Sequence, residues 1–435
     1  MALDDKQDNS KTFMETVSSR EPPKKDASKR RFPKIRTFSS LKHRNFRFLL
    51  AGTFFMSAGN WIQQVTMGWL AYDMTASPFL VGALMGTRSV PFLIAGPLGG
   101  VFGDRMDRKK ILIATQLASM ILAVSLGTLL LNDQAKVWHL FVFAFLSGGA
   151  WAFMNPVRMS LVANLVPRDD LMNAVALNSA SFNINRAIGP AAAGILIGYF
   201  GPATNFFLQA LMYTGVLAAV MPLNVPAHER QDVSKASLIS NLMEGVRYVR
   251  HERTILSLLL IVLVPSLFVM PFTHGILPVF SEEVLHAGPE GLGYLLSAAG
   301  VGGVIGTIIV ASLGNFKKKG LLVLGGSLGG GAAMLVFSQM TWMPLAMFLL
   351  GVVACSEMVF RATNNTLIQT ITPDYYRSRV MSILMMDHGL VPLGSLLAGT
   401  LAEFYGSPFA ILIGGISVLI LVGLMIIKFE TLRKA

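Results

Sequence analysis

The chain has 435 residues, 53% of them hydrophobic and only 14% charged, with a mean hydropathy of +0.57. This is too much apolar surface and too little charge for a water-soluble fold, so the chain belongs in lipid. The net charge of +12 raises the question of nucleic acid, but the 36 Lys and Arg follow the ends of apolar runs and do not gather on one binding face, which excludes it.

Residues 1–42 are polar, mix acids and bases without a helical period and lack the apolar stretch of a secretory signal. They read as a disordered basic cytoplasmic tail, either an uncritical extension or a lipid- or partner-binding one. Runs long enough to cross about 30 Å of hydrocarbon as helices then follow. Six lie at 46–71, 79–102, 110–131, 137–157, 171–199 and 203–223, and six more at 254–280, 290–313, 320–339, 343–362, 379–404 and 408–428. Lipid admits only helices or closed barrels, and these lengths are helical. The expected fold is therefore an all-α membrane protein with twelve transmembrane helices. With the amino terminus inside, every Lys and Arg except Lys136, Arg88 and Arg186 falls in an inner loop or a tail. The positive-inside rule then puts both termini in the cytoplasm of a multi-pass inner (plasma) membrane protein.

The run of twelve divides in two. Gly103-Asp104 is echoed by Gly314-Asn315 and Ser77-Pro78 by Gly288-Pro289, each at an offset of 211, while Pro167 and Pro373 are 206 apart. Gly194 with Gly399, and Gly201 with Gly406, repeat at 205. These offsets describe two pseudo-symmetric six-helix bundles, 43–223 and 254–428, joined by a cytoplasmic linker at 224–253 and followed by a short cytoplasmic tail at 429–435. Within the linker, Leu238, Leu242, Val246 and Val249 share one face opposite Glu244, Arg247 and Arg250, as expected of a helix lying on the inner membrane surface. A duplicated pair of bundles can rock about a midplane site, which is alternating access.

Polar groups inside spans are costly in hydrocarbon and mark cavities or interhelical bonds. In the first span Asn60, Gln63 and Gln64 form one stripe, which either meets substrate near Trp151 or bonds a neighbouring helix. Arg88 and Arg186 fall near mid-membrane with no acid in the spans of their own half. Their partners are helix carbonyls, the other half, or an anionic solute. In the second half Asp387 and His388 in the eleventh span are candidates for proton coupling. Glu357 is a third, with a competing explanation as an i,i+4 partner of Arg361 or a contact of Lys317 to Lys319. His274, between Pro271 and Pro278, is either a gate or the filling of a kink. The glycines from Gly325 to Gly331 read as helix packing, since no phosphate-loop spelling occurs and no ATPase is encoded. One cysteine, Cys355, rules out an internal disulfide and argues against a thiol metal site.

The turn Gly100, Gly103, Asp104, Arg105, Arg108, Lys109 between the second and third spans resembles the loop signature of the major facilitator superfamily, with Asp107 in place of its second glycine. Arg186 followed by Gly189-Pro190 and Gly194 is similar to that superfamily's fifth-span exporter motif, in the spelling of the enterobactin exporter and macrolide efflux branch. The resemblance implies the major facilitator fold, with the first, fourth, seventh and tenth spans around a central cavity and Asp104 approaching the start of the eleventh span near Ser378. That aspartate either latches the outward-open state or merely anchors its loop. Phe145 stands where antiporters of other branches carry a fourth-span arginine, so coupling through that group is not available. The expectation is a secondary transporter: proton-coupled efflux of a small organic solute, drug or siderophore-like and possessing an anionic group in one reading, by a chain functional as a monomer. An importer or uniporter, or a non-transporting sensor, is the alternative. No enzyme chemistry, cofactor, metal site or nucleic acid is implied; membrane lipid, protons and a small-molecule substrate are the partners, with the substrate's identity left open.

Overall fold

The computed structural model describes residues 38–105, 107–224, 238–314, 316 and 318–429, with side chains described except at 93–105, 156, 163 and 238–242. The tail at 1–37, most of the linker before Leu238, Asn315, Lys317 and the carboxyl end from residue 430 lie outside this set. All regular structure among the described residues is helical. In chain order the helices are α1 (Arg44–Thr75), α2 (Pro78–Arg105), α3 (Arg108–Leu131), α4 (Val137–Asn164), α5 (Arg168–Phe200), α6 (Pro202–Val220), α7 (Leu238–His251) and α8 (Arg253–Phe268). They continue with α9 (Leu277–Glu283), α10 (Gly288–Leu313), α11 (Lys319–Phe337), α12 (Met343–Ile371), α13 (Asp374–Met385), α14 (Val391–Tyr405) and α15 (Ser407–Lys428). Nine helical stretches among the described residues are long and apolar enough to cross a membrane, counting α8 to α9 and α13 to α14 as one each. Three further helices, α1, α2 and α5, have 32, 28 and 33 residues.

Local chemistry sets the ends. Pro78, Pro202, Pro289, Pro344, Pro392 and Pro408 stand at first turns, where a missing N–H costs nothing. Gly201 and Gly406 turn the chain with φ of 76° and 86°, values an L side chain adopts only under strain. Asp107, the departure from the loop signature, caps α3: its side chain accepts the Lys109 N–H at 2.9 Å.

The apolar core of α1 to α6 lies in two clusters, one around Phe46, Leu49, Met154 and Val216 and one around Leu70, Leu84, Phe143 and Phe206. A third runs through α8 to α15 around Phe272, Phe280, Phe337 and Phe360, joined by Ile62, Val65 and Ala193 from the first six helices. Two seams tie these groups. On α2 and α14, a Cβ at Gly82 would overlap Ser395 O and one at Gly86 would press on Pro392; on α5 and α10, a Cβ at Gly194 would overlap Pro289 O. Glycine is required at these points because backbone meets backbone. Gly326 and Gly331 pack α11 against Phe360 of α12 and Val418 of α15.

Several expectations need correction. The fourth and tenth helices were expected to end at 157 and 362, but α4 runs to Asn164 and α12 to Ile371. Arg158 therefore lies within a helix and not in an inner loop, and Arg361, at the inner end of the expected tenth span, lies well inside α12. The expected helices at 254–280 and 379–404 are each broken, by a π turn at Pro271–Gly275 and a 3₁₀ turn at Met386–Leu390, and the second starts at Asp374, four residues before Ser378. The linker helix α7 buries Gly245 and Val249 within the protein and leaves Val246 of the expected apolar stripe exposed. Here Tyr248 stacks on Tyr376 at 4.1 Å, and Glu244 pairs with Arg379 at 2.9 Å, so the helix is oriented by α13 and not by its apolar stripe alone.

Candidate functional site

Several polar residues of the first six helices gather in one place. From α1, Gln63 is 3% exposed; its Nε2 donates to Ser147 Oγ at 2.8 Å and its Oε1 accepts from Gln209 Nε2 at 2.8 Å. Gln209 also donates to Tyr213 OH at 3.0 Å. Gln63 is thus an interhelical bond between α1, α4 and α6. Asn60, one turn earlier, accepts from Arg88 Nη2 at 2.5 Å. A small pocket between α1, α3, α4 and α6 is lined by Asn60, Gln63, Gln116, Ser147, Trp151 and Tyr213. Asn60, Gln63 and Trp151 do meet, therefore, and Gln64 is half-buried on the same helix. Arg88 takes its partner from α1 and interacts electrostatically with Tyr213 of α6, which places it among helices of its own half.

A second set gathers where the two broken helices adjoin. Arg361 Nε lies 2.8 Å from Glu357 Oε1 one turn earlier on α12, and its Nη1 lies 3.4 Å from Asp387 Oδ2 in the 3₁₀ turn. Ser266 of α8 donates to the same Oδ2 at 2.7 Å, and His388 Nδ1 lies 2.7 Å from Asp387 Oδ1. Asp387 is 5% exposed and Glu357 13%, whereas His388 is 52% exposed. His274, in the π turn, is within electrostatic reach of Glu357, Arg361 and Arg186. Arg186 comes from α5: its guanidinium lies against Gly303 of α10 and interacts with Glu357 and Arg361. The arginine without an acid in the spans of its own half thus has Glu357 of α12 within electrostatic reach. Arg186, His274, Glu357, Asp387 and His388, five separate candidates in the sequence, fall in one neighbourhood, with Arg361 at its centre.

Two irregular turns beside a charged cluster make this neighbourhood the candidate site. A π or 3₁₀ turn frees backbone groups that a regular helix would consume, and these need polar surroundings. Counting both carboxylates as ionised, Arg186 and Arg361 balance Glu357 and Asp387, so this cluster is neutral overall, and Arg88 lies apart in the first set. Such a cluster can hold an anionic group and exchange protons. No group of three or more His, Cys, Asp or Glu suited to a metal occurs among the described residues.

Of the signature turn, Gly100, Gly103, Asp104 and Arg105 lie on the last turns of α2, but their side chains are outside the described set. Lys109 is described: its Nζ donates to Met221 O at 2.7 Å and Leu223 O at 2.9 Å, tying α3 to the carbonyl end of α6. In the fifth-span motif Gly189 packs on Trp61, Pro190 O faces Gly293, and Gly194 meets α10, so the motif is a packing seam in this conformation. Sequence reasoning missed Arg361 as a hub, Ser266, and Arg158. Arg158 is 4% exposed, bonded to Asn178 Oδ1 at 2.8 Å and stacked over Phe182 at 4.5 Å. The two arginines showed in the sequence as charges on or beyond the last turn of an apolar run, Arg361 also at a spacing of four from Glu357, and Ser266 within its span gave no signal.

Comparison with known proteins agrees with this architecture. The nucleoside transporter NupG is similar in fold, with a TM-score of 0.75 at 12% identity over 88% of this chain and 100% of that one. So is a POT peptide transporter solved with alafosfalin, with a TM-score of 0.73 at 12% identity over 89% and 95%. In sequence the chain is 26% identical to the staphyloferrin A transporter of Staphylococcus aureus over 85% of this chain and 93% of that one. It is 24% identical to the multidrug efflux pump Tap of Mycolicibacterium fortuitum over 80% and 87%, and 22% identical to macrolide efflux protein A of Streptococcus pyogenes over 86% and 93%. Residues 35–435 match the family described as transmembrane secretion effector, and the chain accordingly belongs to that family, as a multi-pass plasma-membrane transporter of the efflux branch of the major facilitator superfamily and not an enzyme.

Proposed function

We propose that the chain exports a small organic solute carrying an anionic group, in exchange for protons, by alternating access of residues 43–223 and 254–428 about a shared site. In this reading twelve spans put both termini in the cytoplasm, and one chain suffices because it carries both halves. The supporting observation is the cluster in which Arg186 of the first half lies within electrostatic reach of the Glu357–Arg361 pair of the second. An anion entering there competes with Glu357 for two guanidinium groups, and the displaced carboxylates become the groups that take up a proton. Asp387 is the first of these, because Ser266 and Arg361 hold it at the break in the helix. The relatives' descriptions as efflux pumps support the outward direction.

Transport by inside-out membrane vesicles tests this. With the lumen acid, vesicles holding the protein should accumulate carboxyfluorescein faster than rhodamine 6G, and Asp387→Asn should remove the response to the gradient. Accumulation that ignores the gradient would make the protein a uniporter, and no movement of either dye or of an added macrolide would favour a sensor. A preference for the cationic dye would overturn the anionic substrate.

A further inference from the structure

We propose that Glu403 is a positioning residue of the transport cycle, a latch that closes the face of the molecule opposite α7. Glu403 lies in the last turn of α14, and its Oε2 accepts from Ser77 Oγ at 2.8 Å and from the Phe79 N–H at 3.0 Å. Both donors belong to the start of α2, where the first N–H groups have no partner in the helix and the dipole is positive. A carboxylate there makes charge-assisted bonds that a water molecule matches less well. The acid sits at the rim of the seam where Gly82 meets Gly399, so closing the seam and seating the carboxylate are one event. On the same face Tyr72 OH donates to Glu283 Oε1 at 2.7 Å, a second carboxylate contact across the halves.

The two helices run antiparallel, and this gives the latch its logic. The end of α14 lies beside the beginning of α2, while Pro392 at the start of α14 meets Gly86 farther along α2. A carboxylate at the end of α14 on the start of α2 holds one face shut. When that face opens, Glu403 must leave the α2 terminus and return to water, so it stabilises one conformation selectively and is a lever on the equilibrium.

The inference rests on the alternating-access reading above, and the test separates the two. In a Cys355→Ser background, spin labels at Asn132→Cys and Thr341→Cys report the face opposite α7, and a second pair at Lys110→Cys and Lys318→Cys reports the α7 face; all four positions are exposed. Pulsed dipolar distances are read without substrate or gradient. Glu403→Ala should raise the ratio of open to closed opposite α7 about tenfold, equivalent to about 1.4 kcal/mol. Ser77→Ala should shift it in the same direction by less, and Glu403→Asp should restore part of the closed population. Glu282→Ala, an exposed acid on the same face, should leave it unchanged. Distances in Glu403→Ala equal to the parent's, or an equal shift from Glu282→Ala, would overturn the latch. Opening opposite α7 with no closing at the α7 face would keep the latch and sink the alternation.

Discussion

Removing the Arg361 guanidinium strands two acids at once. Glu357 and Asp387 are 13% and 5% exposed, and Arg361 itself is 27% exposed. Breaking a buried ion pair by deleting one partner costs about 3 to 5 kcal/mol, because the remaining charge keeps its desolvation penalty. Partial exposure of the arginine puts Arg361→Gln near the lower end of that range, about 3 kcal/mol. Glu357→Gln alone should cost less, about 1 kcal/mol, since Arg361 retains Asp387 and the amide still accepts a hydrogen bond. The informative variant is the double substitution, in which only Asp387 is left without the guanidinium and Ser266 still donates to it. Its loss should fall short of the sum of the single losses by about 1 kcal/mol or more, the coupling expected of groups in one network. Stability of the detergent-purified proteins against denaturant gives the three values. Losses that add to within about 0.5 kcal/mol would refute the hub, and the same proteins should show Arg361→Gln nearly inactive in vesicle transport.

Other consequences are smaller or more local. At the α3 cap, Asp107→Ala should destabilise by about 1 kcal/mol and Asp107→Gly by only a few tenths, read as a difference in midpoint between the two variants. Lys109→Met should lower thermal stability by removing two carbonyl contacts, whereas the exposed Lys110→Met should not. Gly82→Val and Gly194→Val should each separate a seam and abolish transport, with Gly423→Val, where a Cβ meets open space, as the tolerated control in the same uptake assay. At the buried arginine, Arg158→Met should cost less than Arg158→Ala because it keeps the packing on Phe182 and removes a charge whose observed hydrogen-bond partners are neutral, as judged by yield and melting temperature.

The lengths of apolar runs carried most of the fold, since crossing lipid demands a number of residues that a linear reading can count. The ends of those runs were less legible. Hydropathy falls at an arginine, so Arg158 reads as a loop residue and Arg361 as the edge of a span, although each is tolerated well within a helix because a neighbouring element supplies what it needs: Asn178 from α5 for one, Asp387 for the other. Glu357 with Arg361 is visible as a spacing of four, but Asp387 with Ser266 spans 121 residues and has no linear signature. The contacts of α7 had no linear signal for a related reason: Gly245 admits α13 and Tyr248 has an aromatic partner there, and both are facts about another segment.

The positions of the charges and of the helix breaks explain each other. A regular helix in lipid has no backbone group to spare, so a carboxylate projecting from one would have only side chains to bond. Asp387 sits in a 3₁₀ turn, and the helix after it begins with Val391 and Pro392, which supplies no N–H at its second position. The facing helix breaks at Pro271–Gly275, and a Cβ on Gly394 would collide with Leu267 O and Pro271, so the two irregular stretches are pressed together through a glycine. Close approach of the breaks brings Ser266 to Asp387, and Asp387 in turn fixes Arg361. If the cluster were only structural, replacing Gly394 with alanine would disturb packing and leave ion selectivity and gradient response untouched. If it is the site of exchange, Gly394→Ala should spread Ser266 from Asp387 and weaken the response to pH more than it lowers stability. The seat of transport is then the contact between two imperfect helices, and the charges are there because the imperfections can accommodate them.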